Sequence, residues 1–153
     1  MAVNTIPESY ASVTPYLIVK GAARAIEFYK EVFGAIEDYR LPMPDGRIGH
    51  LEFRIGNSKL MMADESPEYH ATSPQSLGGS PVTLTLTVPD VDTIFARALG
   101  AGSKERRPVK TQFYGERSGT MVDPFGHVWT IATRVEDVAP EEMQKRMGAA
   151  GSS

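Results

Sequence analysis

Apolar residues along the chain recur in one pattern twice, first at the spacing of a strand and then at the spacing of a helix. The first copy covers 16–29 and the second covers 84–97. Aligning Val19 with Val88 places apolar residues opposite apolar residues through both the strand and the helix. The sequence therefore predicts two copies of one small module, and a site between the two is where we first expect function.

The first module is predicted to contain one strand, one helix and three further strands. A strand over 14–19 precedes a helix over 22–33, whose apolar residues recur at helical spacing. Gly34 follows at a position where helices often need a left-handed residue. Turn residues then separate three predicted strands, at 36–41, 49–55 and 59–63.

The second module repeats this order. A strand is predicted over 82–88, and Asp90 is the expected N-cap of a helix that ends near Leu99. Three strands should follow, near 108–113, 118–122 and 127–133. A short helix starting at Pro140 and a frayed tail over 148–153 are expected at the C-terminus.

These elements predict an α+β fold and a single domain made of two βαβββ modules. The first module should span about 10–64, a polar linker 65–80, the second module 81–134, and the C-terminal helix and tail 135–153. Modules of this size are marginal alone because small units bury too little of their surface. We therefore expect the halves to share a core or a sheet.

Alternation along the third predicted strand separates an apolar face from a polar face. Residues two apart in a strand share a face, so the apolar set should pack under the helix. The polar set, His50, Glu52 and Arg54, should point away from the helices into any concavity that the modules enclose. Thr83 and Thr85 fit either such a concavity or bare solvent-exposed sheet, because Thr is a good strand former in both.

The composition excludes several classes of protein. Of the 153 residues, 41% are hydrophobic and 23% are charged, and the formal net charge is −3, so no basic surface for nucleic acid is expected. No apolar run is long enough for a membrane span and no signal peptide is evident, so we expect a cytoplasmic protein. The lack of cysteine excludes disulfides, thiolate metal sites and cysteine catalysis.

Three segments, 19–35, 45–52 and 114–129, resemble the vicinal oxygen chelate superfamily, also called the glyoxalase/bleomycin resistance/dioxygenase superfamily. The runs Phe-Tyr-Lys-Glu-Val-Phe-Gly at 28–34 and Asp-Pro-Phe-Gly-His at 123–127 carry the resemblance most specifically. Among its branches the chain is most similar to the PhnB-like one. The resemblance implies an open, U-shaped mixed sheet around a cavity, with the helices on the outer face.

Many members of that superfamily hold one divalent metal in the cavity. The resemblance places the corresponding ligand positions near Thr14, Thr83, Met61 or Met62, and Thr130. None is a histidine or a carboxylate, and hydroxyls and thioethers are poor ligands for such ions. The sequence therefore favours a protein without the superfamily metal or another cofactor, and the alternative is one divalent metal ion.

His50 and Glu52 are the candidates for catalysis. Two same-face strand residues lie about 7 Å apart at their backbones, and imidazole beside carboxylate makes a base with an orienting partner. The pair could also bind a displaced metal ion. Alternatively, Glu52 pairs with Arg54 or another cation while His50 only hydrogen-bonds across strands.

Other residues are candidates for ligand binding or for structure. Tyr16, Met62 and Tyr114 are expected to line a pocket, since such cavities are mostly apolar with a few polar groups. Arg117 falls where superfamily members often carry an arginine that ties strands together, and it could instead bind substrate. Trp129 should face the helices and belong to the core.

Two functions from different classes follow from the resemblance. The first is a metal-free protein that binds a small molecule in the cavity between its modules. The alternative is a metal-dependent glyoxalase-like lyase, isomerase or dioxygenase that uses His50 and Glu52. A structural or regulatory role for the sheet is a third possibility. Superfamily members commonly dimerise, so a homodimer is expected, with a small-molecule ligand and neither nucleic acid nor membrane as partner.

Overall fold

The computed structural model describes residues 3–8 and 10–150, which form two compact units. The first unit runs to Pro81 and also contains Pro124–His127. The second unit contains Val82–Asp123 and the chain from Val128 onward. Each unit carries its own four-stranded sheet.

The first unit has the predicted order of one strand, one helix and three strands. Its elements are β1 (Tyr16–Val19), α1 (Ala22–Phe33), β2 (Ile36–Pro42), β3 (Ile48–Ile55) and β4 (Ser58–Asp64). Gly34 ends α1 in the left-handed conformation, as expected, and its N–H bonds the carbonyl of Lys30. A 3₁₀ turn over Pro67–Tyr69 and a short helix α2 follow (Pro74–Leu77).

The second unit repeats the order and adds a helix. Its elements are β5 (Thr83–Thr87), α3 (Val91–Gly100), β6 (Lys104–Thr111), β7 (Glu116–Val122), β8 (Val128–Arg134) and α4 (Pro140–Ala150). Asp90 caps α3 by accepting a hydrogen bond from the backbone of Thr93, as predicted. The predicted α+β fold of two βαβββ modules is confirmed.

The two sheets have the same topology. The strand orders are β1-β4-β3-β2 and β5-β8-β7-β6, with the first pair parallel and the others antiparallel in each. In the first sheet Tyr16 pairs with Met61, and in the second Thr85 pairs with Thr130. These pairs are equivalent when Val19 is aligned with Val88, so the register of both sheets supports the alignment made from the sequence.

The core of the first unit lies between α1 and the apolar face of its sheet. Tyr29 of α1 stacks on Phe53 of β3, with ring centroids 5.7 Å apart and an interplanar angle of 3°. Both side chains are fully buried, as is Leu51. The predicted assignment of the apolar face of β3 is therefore confirmed.

The core of the second unit lies under α3. Phe95, Met121 and Ile131 are buried there. Trp129 is also buried, as predicted, and its indole N–H donates to the Asp123 carboxylate at 2.9 Å. Buried Asp123 is thus a partner for the indole as well as a turn residue.

Two predicted irregular segments are more ordered than the sequence indicated. Within the expected linker, the Ser73 backbone N–H donates to the Glu65 carboxylate at 2.7 Å, just before α2. Local polar contacts of this kind leave no hydrophobic period to detect. At the C-terminus α4 continues to Ala150, so 148–150 are helical, and the rest of the predicted tail lies outside the described residues. No helix in the described part of the chain has the length and apolar character to cross a membrane.

Candidate functional site

A chain of hydrogen bonds crosses the polar face of the first sheet. His50 Nε2 and Glu52 Oε2 lie 2.9 Å apart. The other carboxylate oxygen, Oε1, accepts a hydrogen bond from the Tyr10 hydroxyl. His50 Nδ1 lies 2.8 Å from the Tyr16 hydroxyl. The order of the four groups is therefore Tyr10, Glu52, His50 and Tyr16.

Strand geometry explains why three of these groups meet. His50 and Glu52 are alternate residues of β3, so they share a face. Met61 of β4 pairs with Glu52 on one side and with Tyr16 of β1 on the other. The imidazole and the phenol therefore approach each other across β4. The side chains of His50 and Glu52 are 22% and 19% exposed, so the pair is accessible but partly shielded from water.

Glu52 is ionised and Tyr10 is neutral near neutral pH. The hydrogen bonds from Tyr10 and His50 lower the pKa of Glu52, with a smaller contribution from the charge of Lys59, whose ammonium nitrogen lies 3.6 Å from Oε1. Burial and the hydrogen bond to Glu52 raise the pKa of Tyr10 to about 12. The site thus holds a single carboxylate charge next to a lysine.

The charge of Glu52 determines the roles of the atoms of His50. An ionised carboxylate can only accept, so we assign the hydrogen of a neutral imidazole to Nε2. His50 Nδ1 is then an acceptor, and the Tyr16 hydroxyl donates to it. Burial, with the nearby charge of Glu52, raises the pKa of Tyr16, which keeps this phenol protonated.

A concavity of about 580 Å³ adjoins this pair within the first unit. Tyr16, 45% exposed, and His50 contribute polar groups to its wall. The rest of the wall is largely apolar. It comes from β1, from the end of β2 and the loop after it, and from the end of β4 and the segment after it, including Ile18, Leu41, Pro42, Met43, Pro44, Ala63 and Tyr69. An apolar wall with a few polar groups is typical of small-molecule sites.

The cation beside Glu52 is Lys59. Arg54, which the sequence offered as a partner for Glu52, donates instead to Asp38 at 3.0 Å. Lys59 also donates to Asp38, at 2.5 Å, and is only 10% exposed. Lys59 therefore links Asp38 of β2 to Glu52 of the site.

One predicted pocket residue lies on the wrong face of its strand. Met62 is fully buried in the core and pairs with Leu51 of β3, so the prediction that it lines a pocket is wrong. Its neighbour Met61 lies on the polar face and lines a second concavity of about 360 Å³ together with Tyr10 and Thr14. Two adjacent methionines give no alternation that identifies the buried one.

The other predicted site residues lie in the second unit. Thr83 and Thr85 are exposed on β5. Tyr114 lines a small concavity of about 140 Å³ next to α4. Arg117 donates to both oxygens of Asp92 at 2.8 Å, so it ties β7 to α3, a structural role like the one the resemblance favoured.

Sequence reasoning missed Tyr10 and Lys59. Tyr10 precedes the first strand in a segment without hydrophobic period, so no pattern pointed to it. Lys59 alternates with Met61 on β4, and the tight turn after Ile55 sets it close to Glu52 on the neighbouring strand. That hairpin register was the one available signal for Lys59.

Two βαβββ modules, each with a four-stranded mixed sheet, are the architecture of glyoxalase-fold proteins. The chain belongs to the Glyoxalase/Bleomycin resistance protein/Dioxygenase superfamily, whose family model matches residues 10–131.

Relatives and solved structures are similar to the chain over most of its length. An uncharacterized protein of Mycobacterium bovis is 41% identical over 154 aligned residues, which cover 99% of each chain. A PhnB protein from Bacillus cereus is 17% identical with a TM-score of 0.65, covering 80% of this chain and 99% of that one. The fosfomycin resistance protein FosX of Listeria monocytogenes, solved with Mn(II) and sulfate, is 19% identical with a TM-score of 0.62. The aligned region covers 90% of this chain and 97% of FosX. At these identities the two solved structures show the shared fold only.

The residues at the site do not fit the divalent metal that the superfamily implies. Within 3–8 and 10–150, no three histidine, aspartate or glutamate side chains group as metal ligands would. Both ring nitrogens of His50 and both oxygens of Glu52 already have protein partners. The ammonium group of Lys59 lies 3.6 Å from Glu52 Oε1 and would repel a metal cation bound there.

Proposed function

We propose that this protein, as a PhnB-like member of the superfamily, binds a small organic molecule in the concavity beside Tyr16 and His50 without a metal. The observation that carries the proposal is the position of a fixed phenol and imidazole pair on the rim of a largely apolar cavity. The volume of about 580 Å³ suits a drug-sized or metabolite-sized ligand.

The pair is organised before a ligand arrives. Glu52 holds the His50 ring from one side and the Tyr16 hydroxyl contacts it from the other. A ligand therefore meets groups whose rotamers are already set, which lowers the entropic cost of binding. The expected ligand has an apolar body that packs against Leu41 and Ile18. It also has a hydrogen-bonding group directed at Tyr16.

The test is a thermal-shift screen of a metabolite library, followed by titration of each hit by calorimetry. His50→Asn should reduce the affinity of a hit about tenfold or more, because the site loses the imidazole and the Tyr16 hydroxyl loses the group that orients it. His70→Asn is the matched control, since His70 is exposed and its side chain is outside the lining of the concavity. Equal affinities in the two variants would contradict the proposal.

Binding without a metal is supported by the contacts of Glu52, whose two carboxylate oxygens already have Tyr10 and His50 as partners. Elemental analysis of protein purified without a metal-binding tag should give less than stoichiometric Zn, Ni, Fe or Mn. A stoichiometric metal that is lost in His50→Asn would favour the alternative, a metal-dependent lyase, isomerase or dioxygenase. FosX, with its Mn(II), is an example of a metal-containing protein with this fold.

The relay from Glu52 through His50 to Tyr16 favours acid–base catalysis as a second candidate function. His50 Nδ1 is placed to accept a proton from a hydroxyl, and Glu52 would stabilise the imidazolium that forms. The test is to incubate the protein with each ligand in D₂O and to follow by NMR whether a carbon-bound proton of the ligand exchanges for deuterium. Exchange should be lost in His50→Asn and kept in His70→Asn, and exchange that survives in both would contradict it.

We further propose a homodimer, with β2 in the contact. β2 is an edge strand of the first sheet and exposes Ile36, Tyr39 and Leu41, each about half accessible. Ile36→Lys should shift the mass measured by light scattering from a dimer towards the 16.7 kDa monomer, whereas Val3→Lys should not. A wild-type protein that is monomeric across micromolar concentrations would contradict the proposal.

A further inference from the structure

Arg107 of β6 contacts two hydroxyl groups on the second sheet. Its Nη2 donates to Ser118 Oγ at 3.2 Å and to Thr120 Oγ1 at 3.3 Å, and its Nη1 donates to the Ser118 carbonyl at 3.4 Å. The hydroxyls of Thr120 and Thr130 lie 2.9 Å apart. Ser118 and Thr120 are buried, while Arg107 is partly exposed.

The sheet register arranges these groups in one row. Arg107 pairs with Thr120, Thr120 with Thr130, and Thr130 with Thr85, so the row crosses all four strands. Neighbouring strands are about 4.8 Å apart, which sets the spacing of the side chains. Thr85, at the far end, is exposed. We call these four residues the Arg107 row.

The charge of Arg107 is not neutralised by a carboxylate of the described chain. Other arginines of the second unit, Arg117 and Arg146, form ion pairs at 2.8 and 2.7 Å, with Asp92 and Glu136. The contacts of Arg107 are to neutral oxygens and are long for N–H···O bonds. Its guanidinium therefore keeps donor capacity that a stronger acceptor can use.

The equivalent positions of the first sheet carry different side chains. The register of β3 with β4 and of β7 with β8 makes Ser118 equivalent to His50 and Thr120 equivalent to Glu52. The first sheet thus presents a carboxylate where the second presents a hydroxyl beside a guanidinium. Tyr39, which pairs with Glu52, is the equivalent of Arg107, so the second sheet has a guanidinium where the first has a phenol.

We propose that the Arg107 row binds an oxyanion, the carboxylate or phosphate group of a small molecule. Two N–H groups of a guanidinium match two oxygens of either anion, and hydroxyl groups can add further donors. Either hydroxyl of the Thr120 and Thr130 pair can be the donor in their hydrogen bond, so the other keeps its hydrogen for an outside acceptor. The site lies within the second unit, so it does not depend on the function proposed for the first.

The test is an NMR titration of isotope-labelled protein with inorganic phosphate and, separately, with acetate, at constant ionic strength. Saturable shifts should centre on the Arg107 side-chain N–H and on the backbone amides of Thr120 and Thr130. Arg107→Gln should weaken binding about tenfold or more, and Arg107→Lys should keep part of it. Arg117→Gln, which removes an arginine already paired with Asp92, should leave the affinity unchanged.

The arms of the titration separate the sources of the anion. Shifts with phosphate alone assign phosphate ligands, shifts with acetate alone assign carboxylates, and shifts with both assign an oxyanion site of broad specificity. If Arg107→Gln does not fold, Thr130→Val and Arg107→Lys carry the comparison. Absence of saturable shifts with both anions, or equal binding by wild type and Arg107→Gln, would overturn the proposal.

Discussion

Asp64 and Thr133 hold the start of a helix from equivalent positions in the two units. Asp64, the last residue of β4, accepts hydrogen bonds from the backbone N–H groups of Gly21 and Ala22 at 2.9 and 2.8 Å. Thr133 of β8 accepts a hydrogen bond from the N–H of Val91 at 2.8 Å. Each side chain satisfies N–H groups that a helix leaves unpaired at its first turn, so each fixes a helix to its sheet.

Removing the Asp64 carboxylate should therefore destabilise the first unit. Asp64 also accepts from the Ile48 N–H at 2.7 Å, so Asp64→Ala leaves three backbone donors without this partner. We expect a loss of about 2 to 3 kcal/mol in the free energy of unfolding, measured with urea. Asp64→Asn should lose less, because its amide oxygen still accepts, and Glu31→Ala on the exposed face of α1 should lose little. Equal unfolding midpoints for Asp64→Ala and Glu31→Ala would contradict the prediction.

The two faces of β3 should respond differently to truncation. Phe53→Ala removes a buried ring stacked on Tyr29 and should cost about 3 to 5 kcal/mol. His50→Ala and Glu52→Gln remove no apolar core and should each cost about 1 kcal/mol or less. Chemical denaturation of the three variants checks the order. A His50→Ala protein that unfolds as readily as Phe53→Ala would show that the polar face has a structural role.

Gly119 should not tolerate a side chain. A Cβ at this position of β7 would lie 2.9 Å from the ring of Phe95 and 2.8 Å from Val109. Gly119→Ala should therefore cost about 1 to 3 kcal/mol through overpacking, seen as a lower melting temperature. Gly100→Ala, at the end of α3, meets nothing within 4 Å and should not lower it. If both alanine variants melt like the wild type, α3 is free to move away from the sheet.

Acid should remove one stabilising contribution of β2. The Arg40 guanidinium, with help from Lys30, holds the pKa of Glu37 at about 2, below its ordinary 4.5. A depressed pKa means that the stabilisation is complete above pH 4.5 and is lost as the pH falls towards 2. Its size should be on the order of 1 kcal/mol, because Arg40 is a third exposed and water screens the pair.

The measurement is the pH dependence of urea unfolding for the wild type and for Glu37→Gln. The two curves should differ above pH 4.5 and converge below it. The matched control is Glu31→Gln, on the exposed face of α1, whose curve should follow that of the wild type. Curves for Glu37→Gln and the wild type that stay parallel over the whole range would show that Glu37 is not the group responsible.

Part of the site followed from the sequence because it lies on one strand. Alternation alone assigned His50 and Glu52 to the face opposite Phe53, since side chains of a strand point to opposite sides in turn. The same rule failed for Met61 and Met62. Two adjacent apolar residues satisfy either frame, and only the pairing of Met62 with Leu51 decides which one is buried.

The sequence by itself determined the two βαβββ modules, the end of α1 at Gly34 and the polar face of β3. These features depend on residues close together in the chain, whose spacing records the period of a helix or a strand. The tertiary structure decided which groups meet on that face: Tyr10 with Glu52, Tyr16 with His50, and Arg107 with the hydroxyls of β7. Such contacts depend on the register between strands that are distant in sequence, and pairing across a sheet leaves no period along the chain from which it could be predicted.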